Sequence, residues 1–314
     1  GYDLDPSSSA VPKTNIAPGV AGAAFTAFTA VGWSYVNGTG ANRGHLNNAD
    51  SSNDYVAWGW KAGGAPSASA LSLVSGVGAG TISNTGNLSA ITQSVSQTSG
   101  FSISKYVGAA AASSTNSLPH NLGAKPDWVI IKSLHDGANW MVWHTSLTAG
   151  YNINLNNNAA QFTHATNGYI DGATTNTTTI SIKGGSNSAS WVAGAGAAGY
   201  ICYAWKAVAG VSAFGTYEGG WVSGGSGLTT VTTGFQPKMI IIKNIDTTND
   251  WVIVDAFRGT TDASPKLLHA NTTEAEQTDD IGLEFISTGF TIIQNATSGL
   301  TNNTNQTYIY AAFA

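Results

Sequence analysis

Apolar and polar positions alternate along short runs of this chain, and the runs are separated by turn-forming residues. In "DWVIIK", residues 127–132, Trp128, Ile130 and Lys132 fall on one side of an extended chain and Val129 and Ile131 on the other. The run "KMIIIK", 238–243, repeats the arrangement, with Met239 and Ile241 opposite Ile240 and Ile242. Both faces stay apolar until the lysine, which predicts a strand covered on two sides that surfaces at its end, as in a β-sandwich. "NWMVWH" and "DWVIVD" follow after "HDGAN" and "DTTND", whose Asp, Asn and Gly are turn formers. The one helix the pattern predicts, "NTTEAEQ" at 271–277, is short.

These runs belong to a larger duplication. A single offset carries Gly123 to Gly234, Pro126 to Pro237, Ile131 to Ile242, Lys132 to Lys243 and Trp140 to Trp251. Further on, "TNGYI" matches "STGFT", setting Gly168 on Gly289 and Tyr169 on Phe290 after an insertion. Each copy closes on an aromatic strand, "GYICYAWKA" at 199–207 and "TYIYAAFA" at 307–314. A partial copy opens the chain: "TAVGWSYVN" at 29–37 reads like "ISTGFTIIQ", and in "DYVAWGWKAGG" Tyr55, Trp60 and Lys61 match Tyr200, Trp205 and Lys206. Gly1 therefore lies inside a repeat, and the expectation is that the chain begins earlier or that another subunit completes this first unit. Units of about 105 residues are the size of a β-sandwich. The expected organisation is all-β: a partial N-terminal unit over 1–62, a low-complexity linker or arm over 63–98, and sandwich units over 99–209 and 210–314.

The stretch from 63 to 98 is nearly free of charge and aromatics. Small polar residues bury too little apolar area to offset ordering entropy, so it reads as a linker, or as an arm ordered only by packing along neighbours.

Composition narrows the function. The 314 residues carry 9% charged side chains and a net charge of −5, with 12 basic residues. No basic stripe is available to neutralise a phosphate backbone or an anionic membrane surface. No apolar run approaches the roughly 18 residues that would span a bilayer. A single cysteine, Cys202, leaves neither a disulfide framework nor a multi-thiolate metal site. Durability must then come from extensive sheet, repetition and association with further copies of the chain.

Reactive groups do not gather into a site. His45, His120, His135, His144, His164 and His269 form no metal-binding spacing, and in the repeat His120 stands where the second copy has Val231 and His144 where it has Asp255. Asp279, Asp280 and Glu284 form the densest carboxylate group, but the neighbouring aspartates read as a solvated turn before the strand "IGLEFI", whereas a glycosidase needs two carboxyls facing each other across a cleft. Asp246 and Asp250 could offer loop oxygens to calcium, although their spacing is not that of an EF-hand. "GAGAAG" and "GGWVSGGSG" lack the strand before and helix after that a nucleotide loop needs, and read as turns. Cys202 is matched by Ala57 and Tyr310, so it fills space. Lys132 and Lys243 recur, which suits a shared ligand site less well than strand-end lysines that block edge-to-edge association. Trp128, Trp140, Trp205 and Trp251 lie in apolar strands and read as core. Trp221, in "YEGGWVSGGSG", is the candidate for an exposed ring that stacks on a sugar. No catalytic, metal or cofactor residue is expected.

Taken together, "GFSISKYVG", "LPHNLGAKPDWVIIK", "NWMVWH", "YICYAWKAVAGVSAFGTYEG", "GFQPKMIIIKN", "DWVIVDAFRG" and "TYIYAAFA" resemble a repeat module of tail or fibre proteins of tailed bacteriophages, many of them marine. The resemblance covers most of residues 99–314, and "YVAWGWKAGG" extends it. It implies a non-enzymatic virion structural protein, a fibre or decoration on tail or capsid that contacts the host, and it transfers no catalytic residue. The truncated first unit and the linker depart from the two-unit pattern. The implied partners are further copies of the chain, as a trimer or higher assembly, and other virion proteins. The alternative is an adhesin that binds host surface glycans through Trp221; a depolymerase stands third.

Overall fold

The computed structural model of the chain describes residues 55–108, 114–135, 137–163, 168–184, 191–194, 199–221, 228–259, 266–278, 281–292 and 300–314, together with the backbone of four short strands nearer the N-terminus. Those four are β1 (Ala10–Val11), β2 (Ala21–Gly22), β3 (Phe25–Thr29) and β4 (Gly32–Tyr35), paired as two hairpins. Then come β5 (Val77–Ile82), β6 (Ser89–Ser96), β7 (Phe101–Val107), β8 (Thr115–Pro119), β9 (Trp128–Ser133), β10 (Met141–His144), β11 (Ile153–Asn154), β12 (Tyr169–Ile170), β13 (Thr179–Lys183) and β14 (Gly199–Trp205). The remainder are β15 (Ser212–Glu218), β16 (Thr229–Thr232), β17 (Met239–Asn244), β18 (Val252–Asp255), β19 (Lys266–Leu268), β20 (Gln277–Thr278), β21 (Leu283–Ile286), β22 (Gly289–Ile292) and β23 (Thr307–Phe313). The fold is all-β, and the described residues contain no helix. Residues 271–277, expected as a helix, are irregular up to Gln277, which enters β20.

Two sets of strands share one order. A seven-stranded sheet runs β11-β10-β9-β14-β7-β6-β5 beside a three-stranded sheet β12-β13-β8. A six-stranded sheet contains β19-β18-β17-β23-β15 beside β21-β22-β16. Register agrees as well as order: Ile131 faces Cys202 as Ile242 faces Tyr310, and Tyr106 faces Tyr200 as Tyr217 faces Tyr308. The order departs from the sequence match in one place. Tyr169 lies on the edge strand β12, while Phe290 lies on the central strand β22, so the positional equivalent of β12 is β21. The glycine-aromatic pair that guided the match marks a strand entry in both units, but on different strands.

Polar anchors are duplicated along with the strands. Trp140 N–H donates to Asn156 Oδ1 at 2.8 Å, and Trp251 N–H donates to Asn271 Oδ1 at 2.8 Å. Behind these, Asn156 Nδ2 donates to Asn139 Oδ1 and Asn271 Nδ2 to Asp250 Oδ1. Tyr106 stacks on Tyr200 and donates its hydroxyl to Val192 O, while Tyr217 stacks on Tyr308 and donates to Thr301 O. Buried side-chain hydrogen bonds of this kind fix loops that the sheet ladder does not reach.

The two units stack through equivalent faces. Ile240, Ile242, Val252 and Val254 pack with Val231, Phe290 and Ile292 inside the second unit. The other face of that sheet, Met239, Ile241, Ile253, Ile309, Ala311 and Phe313, joins the core of the first unit, against Trp128, Ile130 and Trp205. Polar bonds lock the layer: Trp251 Nε1 donates to Asn154 O at 2.9 Å, Asn249 N to Asn158 O at 2.9 Å, and Gln161 N to Ile245 O at 3.1 Å.

The stretch 63–98, read from sequence as a linker or arm, instead supplies β5 and β6 to the seven-stranded sheet. Leu88, Ile91 and Val95 are buried, and Gln93 is fully satisfied by Ser104 Oγ, Pro119 O and Asn121 Nδ2. Its small residues have a packing role. A Cβ at Gly78 would lie 2.0 Å from Ser72 O, so only glycine lets residues 69–72 cross this strand closely. The crossing segment bonds to β5 through Leu71 N to Thr81 O and Thr81 N to Ser69 O, both 2.8 Å, and covers that sheet edge.

Replacing Asn271 by Ala orphans the Trp251 amide and should cost about 1–3 kcal/mol in urea denaturation. Asn156→Ala should cost a similar amount through Trp140. A loss at one site only would show that the two anchors are not equivalent.

Candidate functional site

The titratable residues singled out in the sequence have local structural partners. His120 is buried, accepts Leu122 N–H at Nδ1, 3.1 Å, and lies 3.1 Å through Nε2 from Asn176 O. His144 is buried too; Nδ1 accepts Ser146 N–H at 3.1 Å, which leaves the proton on Nε2, 3.1 Å from Tyr310 O in the second unit. Asp255, at the same place in the second unit, does the same local work: Oδ1 accepts Phe257 N–H at 3.0 Å. Imidazole and carboxylate are interchangeable here because both accept the amide two residues ahead. Burial lowers His144 to about 4, with the Tyr310 carbonyl acting in the opposite direction.

The recurrent lysines are not strand-end edge blockers. Lys132 and Lys243 are fully buried, on strands that are central in their sheets, so they have no edge to block. Lys132 Nζ donates to Ala138 O at 2.9 Å; Lys243 Nζ donates to Asn244 O at 2.6 Å and to Asn158 O at 3.3 Å across the units. Burial lowers Lys243 to about 7, and Asp250 counteracts part of that. Cys202 is buried among apolar strands and its thiol is pushed up by burial. Asp246 accepts Thr307 N–H at 2.6 Å and Asp250 accepts Asn271, so both carboxylates of the calcium reading have protein partners. No group of three His, Cys, Asp or Glu side chains able to hold a metal occurs among the described residues. His45, His164, Asp279, Asp280 and most of "GAGAAG" and "GGWVSGGSG" lie outside them.

Trp221 is half-buried, with N–H bonded to Asn302 O at 3.1 Å and its carbonyl accepting from Thr304 Oγ1. Among the described residues the most exposed rings are elsewhere. Phe257 is 84% exposed and Tyr55 47%. Both line a groove of about 480 Å³ between residues 55–60 and the ends of β17, β18 and β23, with Trp58, Trp60, Lys238 and Phe313.

The construction of the groove explains those exposures. The Asp255 carboxylate holds the Phe257 and Arg258 amides in a tight turn, which turns the Phe257 ring outward. Its second oxygen takes Arg258 Nε at 2.6 Å, and the guanidinium lies 5.7 Å from the Trp58 ring. Trp60 sits edge-on to Trp205 and Phe313, at 5.6 and 5.3 Å, where the units meet. Residues 55–62 thus follow the closing-strand pattern without joining a sheet. The sequence match flagged Trp60 through Trp205, whereas Phe257 was missed; the signal that could have found it is Asp255, whose carboxylate closes the turn over 255–258 that carries the ring.

A family model described as a domain of unknown function, DUF7483, matches residues 11–314, and the chain belongs to that family. No curated protein and no solved structure shows a significant match.

Because His144 is neutral when folded and ordinary when unfolded, the unfolded chain binds more protons between pH about 6.5 and about 4. Its stabilising contribution is therefore present above that window and lost as pH falls through it, by up to about 3 kcal/mol. Urea midpoints of wild type and His144→Gln should converge on acidification; parallel curves would contradict the assignment.

Proposed function

We propose that the chain is a non-enzymatic structural component of a bacteriophage virion, a fibre or decoration projecting from tail or capsid and contacting the host. The observation that carries this reading is the shared layer between the units. His144, Lys243 and Trp251 are spent on binding one unit to the other, and the aromatic residues fill the space between the sheets. Side chains used in this way give a stiff block, which suits reach and load better than turnover. The resemblance of the repeated motifs to tail and fibre modules points the same way, and assembly with further copies and other virion proteins follows from that role.

A second reading, an adhesin for host surface glycans, is favoured by the groove at Phe257 and Tyr55. Exposed rings in a groove that Lys238 also lines suit a pyranose, which offers an apolar C–H face and polar edges. In this reading the groove takes the place of Trp221.

Antibody labelling of purified particles should place the chain at one structural location, visible by electron microscopy. Its absence from particles would overturn the virion reading. On a glycan array, retention lost in Phe257→Ala and kept in Trp221→Ala would assign sugar binding to the groove.

A further inference from the structure

We propose that the outer edge of β15 is an interface, at which the β15 strand of a second copy pairs with it antiparallel. The inference comes from a difference between otherwise matching units. In the first unit the opening strand β7 is covered by β6, with Ser94 facing Ile103 and Thr92 facing Lys105. The equivalent strand β15 is the last of its sheet, and among the described residues no strand lies beyond it.

The free groups can be placed. Val211 O accepts Ala314 N–H and Gln306 O accepts Gly219 N–H, so the odd-numbered residues of β15 bond inward to β23. The even-numbered residues turn their N–H and C=O outward. Ser212 spends both on Val208, which leaves Phe214, Thr216 and Glu218. Among the described residues the edge from Phe214 to Glu218 has no proline or lysine, its one charge is Glu218, and the only covering segment is Val208, which stops at Ser212.

The spacing selects the occupant. In an antiparallel pair centred on Thr216, Phe214 of each copy faces Glu218 of the other and Thr216 faces Thr216. This two-fold register uses every outward N–H and C=O on both strands and sets no like charges opposite each other. A second copy thus meets the edge without any new element, and two six-stranded sheets become continuous. The assembly is pairwise, where the sequence suggested a trimer. It does not depend on the virion reading.

The test uses the full chain in sedimentation equilibrium with hydrogen exchange. Wild type should be a dimer at micromolar concentration, with slow exchange at the Phe214, Thr216 and Glu218 amides. Thr216→Lys, at an exposed position, and Thr216→Pro, which deletes an outward N–H, both also lose the hydroxyl's bond to Tyr308 O, and each should weaken association about tenfold or more and free those amides. The near-ultraviolet circular dichroism of Thr216→Lys should stay that of wild type, showing that the sandwich itself is intact. A monomeric wild type, or an oligomer in which both variants associate normally, would overturn the proposal. So would an oligomer with fast exchange at the three amides, since another surface would then hold it together.

Discussion

The structure depends on one apolar layer, the stacking of two sheets through equivalent faces. Each unit is a sandwich with one face turned to its own three-stranded sheet and the other left apolar. An apolar sheet face of that size cannot remain in water, and the matching face of the other unit covers it. Trp128 stacks on Trp205 at 4.8 Å, and Phe214 and Phe313 fill in from the second unit. Aromatic pairs of this sort add about 0.5–1.5 kcal/mol each beyond the area they bury. The units are therefore a four-layered body sharing a core, and not beads on a string.

That layer accounts for the buried lysines. A lysine at the end of a central strand in a sandwich would normally reach water, but here its stem crosses an occupied space. The ammonium ends on backbone carbonyls at the rim, Ala138 O for Lys132 and Asn158 O for Lys243. An ammonium supplies three donors and no acceptor, so it suits a cluster of orphaned loop carbonyls. The cost of taking it from water appears in the lowered pKa of Lys243.

Much of this was legible in the residues, because period-two runs and a constant offset are local signals. The alternation of Met239 and Ile241 against Ile240 and Ile242 corresponds to their division between two cores. Sequence pattern does not state what covers a face, so the lysines read as surface. Composition likewise misled over residues 63–98: glycine and serine suggested a linker, yet Gly78 admits a crossing chain and Gln93 is fully bonded. Low apolar content implies disorder only when no neighbour supplies the missing area. Exposed rings were harder still, since the exposure of Phe257 is set by a turn that the Asp255 carboxylate closes, a signal that the apolar run "DWVIVDAF" does not show by its periodicity.

Repetition itself limits where specific function can reside. His144 and Asp255 hold the same turn, Asn139 and Asp250 back the same anchor, and Cys202 and Tyr310 face the same strand. At each pair the position tolerates different chemistry, provided one acceptor or one volume is kept. The shared positions therefore answer to a folding requirement that either residue meets. Any surface specific to this chain must instead come from what only one unit has. Among the described residues, features of that kind include Arg258, tied to Asp255 and laid on Trp58 beside the groove, and the flank of β15, beyond which no strand lies. His144 cannot make the first, because the carboxylate recruits the guanidinium and a neutral imidazole does not.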